Sequence, residues 1–232
     1  MTKKIAISQS NYIPWKGYFD IINSVDEFVL YDDMQYTKRD WRNRNKIKTP
    51  NGTQWLTIPV EVKGKYYQKI NETLISDPTW AKDHWNSILH NYAQAPYFKD
   101  YKALLEQLYF KATQFQYLSE INRFFLESLC NILGIKTKFY SSSEFTLEEE
   151  KTARLVSICR QLGATHYYTG PAAKAYMEET QFESVGIQII YYDYSNYPVY
   201  NQLFPPFDHA VSIIDTIMNE GHNTNKYMKS FK

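Results

Sequence analysis

The N-terminal stretch up to Tyr31 constrains the fold more than any other. Residues 5–9 read as a strand, and Pro14 and Gly17 punctuate the loop that follows. Residues 18–24 have the pattern of a short helix, and EFVLY at 27–31 that of a buried strand ending at Asp32. Strand, polar loop, helix and strand in so short a span make a compact βαβ unit, so a parallel strand pair is expected. Ligands of such sheets collect at the carboxyl ends of the strands. Both residues 9–16 and residues 32–36 fall at such ends.

Directly after the second strand comes DDMQYTKRDWRNRNKIK, residues 32–48. Lys38, Arg39, Arg42, Arg44, Lys46 and Lys48 stand there against one acid after the Asp32-Asp33 pair, Asp40. The whole chain carries a formal charge of only +1, so this is local concentration and not a basic protein. Guanidinium forks suit phosphate and carboxylate. Tyr36 and Trp41 supply rings that can stack on a base or sugar face. Pro50-Asn51-Gly52 is a strong turn signal between residues 44–48 and 54–60. The basic segment is therefore expected as a β-hairpin arm projecting from the βαβ unit, with residues 70–75 as a further strand.

From residue 76 the pattern turns helical. Asp77 can cap a helix with Pro78 at its first position. Helices are expected over residues 78–93, 97–113 and 118–133, the last closed by Gly134. Strands at 136–140, 166–168 and 187–192 then alternate with helices at 152–162, 171–177 and 211–218. The expected fold is α/β: a mostly parallel sheet flanked by helices, with a β-hairpin arm and a helical insertion. A single domain is expected, with residues 1–75 as the N-terminal unit and arm, 76–134 as the insertion and 135–232 as a C-terminal α/β half.

Composition narrows the class further. With 232 residues, 44% of them hydrophobic, the chain can bury a sizeable core. Its 21 Tyr lift the aromatic share to 17%, a usage that suits ring-lined clefts. No signal-peptide pattern is present, and no apolar run approaches the ~20 residues a bilayer span needs. Cys130 and Cys159 lie in different expected helices and form no disulfide framework, which points to a cytoplasmic setting. Both read as small core residues.

Candidate chemistry lies at several places. The turn at Thr169-Gly170-Pro171 leads from a strand into a helix, and Gly170 lets a ligand approach the backbone. Asp193 closes a strand among tyrosines and can act as a base. His84 sits between Trp80 and Trp85, surroundings that can move an imidazole pKa. Asp215 reads as a surface or capping acid. Asp32-Asp33 can hold Mg²⁺ with substrate phosphates, but adjacent residues of a strand face opposite ways, so one of the two is expected to reach the site. No pattern of metal ligands is present, and no tightly bound cofactor is expected.

Taken together, the segments QSNYIPWKGYFD at 9–20, YDDMQYTKRDWRNRNKIKTPNGTQWLTIPV at 31–60, APYF at 95–98, LGA and TGP within 162–171 and YPVYNQ at 197–202 resemble the WbqC-like family. Ser8 and Ser10 stand where that pattern as a rule has His and Pro. The resemblance implies a role in bacterial surface-polysaccharide (O-antigen) biosynthesis. It implies transfer of an acyl or aminoacyl group to the amine of a nucleotide-linked amino sugar. The activated donor would be carried on coenzyme A, an acyl-carrier protein or tRNA. The motif residues it carries over are Gln9, Asn11, Tyr12, Lys16, Asp32, Gln35, Arg42, Asn43 and Arg44. In that reading Lys38, Arg42 and Arg44 hold phosphate, and Tyr12, Tyr36 and Trp41 pack on sugar or base. His84 or Asp193 takes the proton, and Gln9 or Asn11 stabilises the oxyanion. A nucleotidylyltransferase and a non-catalytic RNA- or glycan-binding module are the rival readings.

Overall fold

The computed structural model describes residues 2–231. β1 (Lys4–Ser8), α1 (Lys16–Asn23) and β2 (Glu27–Leu30) form the expected βαβ unit, with β1 and β2 parallel and Ile5 opposite Glu27. Three more parallel strands complete the sheet: β5 (Lys138–Ser141), β6 (His166–Thr169) and β7 (Gln188–Tyr191). The spatial order is β5-β2-β1-β6-β7. The chain therefore winds outward from β1 in one direction, then returns to the other side of β1 to continue through β6 and β7. This reversal places a topological switch point between β1 and β6, where the loops leaving the two strands diverge and open a crevice.

Helices cover both faces, because successive strand residues point to opposite sides. Ala6, Phe28 and Leu30 pack with Phe19 and Ile22 of α1 and with the helical segment. Ile5, Ile7 and Val29 pack with Leu155, Ile158 and Cys159 of α5 (Lys151–Gln161) and with Phe182 of α6 (Glu179–Glu183). The helical segment comprises α2 (Trp80–Tyr92), α3 (Phe98–Ala112) and α4 (Leu118–Leu133). Gly134 ends α4 at φ +76°, the left-handed conformation that glycine adopts without strain. α7 (Ile213–Glu220) follows a long segment, residues 192–212, that has no helix or strand of its own. No helix among the described residues is long and apolar enough to cross a membrane.

β3 (Arg44–Thr49) and β4 (Gly52–Thr57) pair antiparallel as the expected hairpin. It does not project. Asn45 donates from Nδ2 to the carbonyls of Tyr12 and Ile13 at 3.1 and 3.0 Å, and Asn122 of α4 donates to the Arg42 carbonyl at 2.9 Å. Ser212 N–H bonds the Lys46 carbonyl on the other side at 2.9 Å. Lys48 is buried, with its Nζ on the Pro206 carbonyl. The hairpin is thus a wall between the first crossover loop and residues 192–212.

Several local expectations are corrected. Residues 70–75 form no strand: a 3-10 turn at Ile70–Glu72 inserts Ile70 into the core, and only isolated bridges form at Leu74 and Ile75. Residues 171–177 hold a 3-10 turn, Pro171–Ala175, and no full helix. Asp77 caps the turn before α2, accepting Thr79 N–H at 2.9 Å, and the helix itself starts at Trp80. Asp215 is not a surface acid but is fully buried. Tyr92 and Tyr200 each donate to it at 2.7 Å, and burial raises its pKa.

Candidate functional site

A cavity of about 570 Å³ opens at the switch point. Its floor is the carboxyl end of the sheet: Ser8 and Gln9 at the end of β1, Tyr31 after β2, Thr169 and Gly170 at the end of β6. Tyr18, Tyr167, Tyr176 and Tyr194 add rings, while Arg42 and Lys151 bring positive charge from the hairpin approach and from the start of α5. No carboxylate is among the lining residues. Its size, its rings and its two lining cations suit an anionic, ring-bearing small molecule.

A second cavity, about 400 Å³, lies beside it. Asn11, Trp15, Trp41, Asn45, Tyr197 and His209 are in its wall, and Tyr194 belongs to the walls of both cavities. Arg42 reaches across from the first cavity to donate to Asn11 Oδ1, and its own Nε is buried without a partner. The Asn11 amide is thereby oriented at the boundary. Trp15 is set by Gly17: a Cβ there would overlap the indole, so the absence of a side chain lets the ring fold over the start of α1. His209 comes from the irregular segment before α7, its ring edge-on to Phe207 at 4.5 Å. Its Nδ1 is buried with no hydrogen-bond partner, and burial, then the nearby Lys16 ammonium, lower its pKa. Neutral imidazole is the form favoured at neutral pH, and that form can take a proton.

Lys16 lies behind this second wall. Its Nζ donates to the Pro198 carbonyl at 2.8 Å and lies 5.0 to 5.8 Å from the rings of Tyr197, Tyr200 and Phe207. Burial brings its pKa down to about 8, against the opposing pull of Asp20 and Asp215. Asp20 in turn accepts Tyr197 O–H at 2.6 Å, which holds the tyrosine rim of the cavity against α1.

The sequence-derived site residues separate into groups. Gln9, Arg42 and Gly170 meet in the larger cavity, and Asn11 and Trp41 in the smaller. Tyr12 and His84 do not line either one. Tyr12 is fully buried, its O–H 2.9 Å from both His84 Nδ1 and Tyr109 O–H, while His84 Nε2 bonds the Thr57 carbonyl at 3.1 Å. Burial lowers the His84 pKa to about 4. Tyr36 and Asn43 are also buried, the latter donating to the Ile58 carbonyl at 2.8 Å.

Asp32 lies beneath the loop, accepting Ser10 N–H at 2.8 Å, and burial raises its pKa to about 6. Asp33 points elsewhere, to Ser142 and Asn71, so the two acids do not converge on one point. Gln35 and Lys38 are on the exterior, with Gln35 bonded to the Tyr66 carbonyl. Arg44 lies on the outer face of the hairpin, over Trp55. Asp193 is largely exposed and paired with Lys229 at 3.0 Å. Hydrogen bonds from Ser195 and Lys229 hold its carboxyl below the usual carboxylate range.

Sequence reading missed Lys151, His209 and Asn45. Lys151 carried a usable signal, since it opens a helix directly after a strand and a polar loop. His209 and Asn45 carried none.

A model of the WbqC-like protein family matches residues 9–227. The uncharacterized protein Rv1507c of Mycobacterium tuberculosis (strain ATCC 25618 / H37Rv) is 48% identical over 227 residues, covering 98% of this chain and 98% of that protein. No solved structure matches the chain.

Proposed function

The chain belongs to the WbqC-like protein family, and from that premise we propose that it is a transferase of bacterial surface-glycan biosynthesis. Its substrate in this reading is a nucleotide-linked amino sugar, and the group transferred to the sugar amine is acyl or aminoacyl. The observation that carries the proposal is the cavity at the switch point, where Arg42 and Lys151 both stand in a tyrosine-rich lining that has no carboxylate of its own; Asp40, 3.7 Å from Arg42, lies outside that lining. The diphosphate lies against the two cations, and the base and sugar lie on the rings. The amine then faces the boundary with the second cavity. There it attacks the acyl carbonyl, the Asn11 amide N–H donates to the oxyanion that forms, and His209 takes the amine proton. Arg42 serves twice, by binding phosphate and by orienting Asn11.

Calorimetric titration of a panel of uridine- and thymidine-diphosphate amino sugars tests the binding half. Lys151→Ala and Arg42→Ala should each weaken the best ligand about 10- to 100-fold, the loss of one charge-assisted contact worth roughly 1.5–3 kcal/mol. Lys151 is exposed, so its variant is expected to fold normally. Failure of every nucleotide sugar to bind, or undiminished affinity in both variants, overturns the proposal.

A further inference from the structure

The cationic segment divides at the hairpin. Arg42 turns inward, but Arg44 and Lys46 stand on the outer face of β3 beside Trp55 of β4, the cross-strand partner of Lys46. The Arg44 guanidinium carbon is 4.0 Å from the Trp55 ring centre and Lys46 Nζ is 5.2 Å from it. Trp41 packs against Trp55 at 5.3 Å, and the two indoles remain 40% and 39% exposed. Among the described residues no carboxylate lies within 4.0 Å of the Arg44 or Lys46 nitrogens, and Lys38 and Arg39 lie exposed just before this face. Two part-exposed indoles beside cations with no carboxylate partner form a surface on which an anionic, ring-bearing ligand can dock. Exposed rings with adjacent cations can take a nucleobase and its phosphate. Trp41 also lines the smaller cavity, so the same residue joins this face to Asn11 and His209.

We propose that the outer face of the hairpin binds the nucleoside-phosphate handle of the acyl donor, and that the donor's acyl end enters the smaller cavity past Trp41. The acyl chemistry rests on the function proposed above, whereas the nucleotide binding does not. In the transfer, the sugar nitrogen forms a bond to the acyl carbon, and the carbonyl–sulfur or carbonyl–oxygen bond of the donor breaks. The leaving thiolate or ribose alkoxide receives the proton that His209 accepted from the amine. Coenzyme A and the 3′ end of an aminoacyl-tRNA share this handle chemistry, and a carrier protein presenting only a pantetheine arm does not.

Tryptophan fluorescence, titrated with adenosine 3′,5′-bisphosphate, coenzyme A, pantetheine and the trinucleotide CCA, tests the assignment. Saturable quenching by adenosine 3′,5′-bisphosphate is expected, weakened at least tenfold by Arg44→Gln and by Lys46→Gln and reduced by added salt. Pantetheine should leave the signal unchanged. Tighter binding of coenzyme A identifies a thioester donor, and tighter binding of CCA an aminoacyl-tRNA. Circular dichroism checks that the variants fold. If no nucleotide probe quenches, or if both folded variants bind as well as the parent, the proposal is overturned. Nucleotide-sugar affinity should be unaltered in Arg44→Gln and Lys46→Gln. Loss of the one binding activity without the other therefore shows which of the two assignments has failed.

Discussion

Gly170 illustrates how a single residue can separate binding from stability. Its backbone, at φ −73° and ψ 157°, is extended, a conformation that β-branched side chains favour. An added Cβ would meet only Tyr194 Cε2, at an ordinary 3.7 Å. The fold therefore tolerates a side chain here, and what would suffer is the space in the cavity whose wall Gly170 forms. Because a side chain at this extended position also restricts the unfolded chain, Gly170→Val should change unfolding free energy by no more than about 1 kcal/mol. The same change should weaken nucleotide-sugar binding at least tenfold. Denaturant unfolding and calorimetry on one preparation measure both. A variant that binds normally removes Gly170 from the ligand path. Among the polar residues, the same loop positions that read alike in sequence diverge in space. Asn11 and Asn43 were both motif residues, yet one stands at the boundary of two cavities and the other is consumed by a backbone carbonyl.

At the scale of elements the hairpin decides where the cations go, and its position depends on a few buried amides. Asn45 is 2% exposed and bonds two carbonyls of the first crossover loop. Removing its side chain leaves those acceptors in the interior without a partner. Asn45→Ala should cost roughly 1–3 kcal/mol by denaturant titration. Because the loop that carries Asn11 hangs on these bonds, nucleotide-sugar affinity should fall with it. An unchanged midpoint would mean that backbone bonds such as Tyr12 N–H to the Trp41 carbonyl, 3.0 Å, hold the loop unaided. The hairpin itself was legible from Pro50-Asn51-Gly52 and its flanking strands, because turn chemistry is local. Its docking was not. The bonds that draw it inward link Asn45 to Tyr12 and Asn122 to Arg42, pairs far apart in the chain with no periodicity between them. Likewise nothing local told that Arg42 would enter the cavity while Arg44 stacked on Trp55, since that choice depends on the register and on which hairpin face meets the body.

On the scale of the whole molecule, the parallel sheet and its crossovers followed from alternating strand and helix patterns. The α2–α4 helices were likewise visible as helices, but their packing role was not. They enclose Tyr12 with Trp80, Tyr109 and Phe125, and they bring His84 into a closed polar chain beneath the site. The aromatic surroundings that drew attention to His84 in sequence are therefore those of a core histidine, and this makes a prediction about pH. Its pKa falls from 6.5 in the unfolded chain to about 4 when folded, chiefly through burial. Below pH 6.5 the unfolded chain binds a proton that the folded protein refuses. Stability contributed by the neutral ring is thus complete above pH 6.5 and is lost as pH falls toward 4. At pH 5 the loss is about 2 kcal/mol, from 1.36 kcal/mol per pKa unit over the interval already crossed. Asp32 works the other way: its folded pKa is raised from 3.8 to about 6, so acidification through that window favours the fold. The raw pH profile therefore mixes opposing contributions. Comparing the parent with His84→Gln removes Asp32, which both proteins share. The parent should be the more stable at pH 7.5, and its advantage should shrink by about 2 kcal/mol at pH 5. A difference in unfolding free energy that stays constant between those two pH values would show that His84 titrates normally and that the helical segment opens to water in solution.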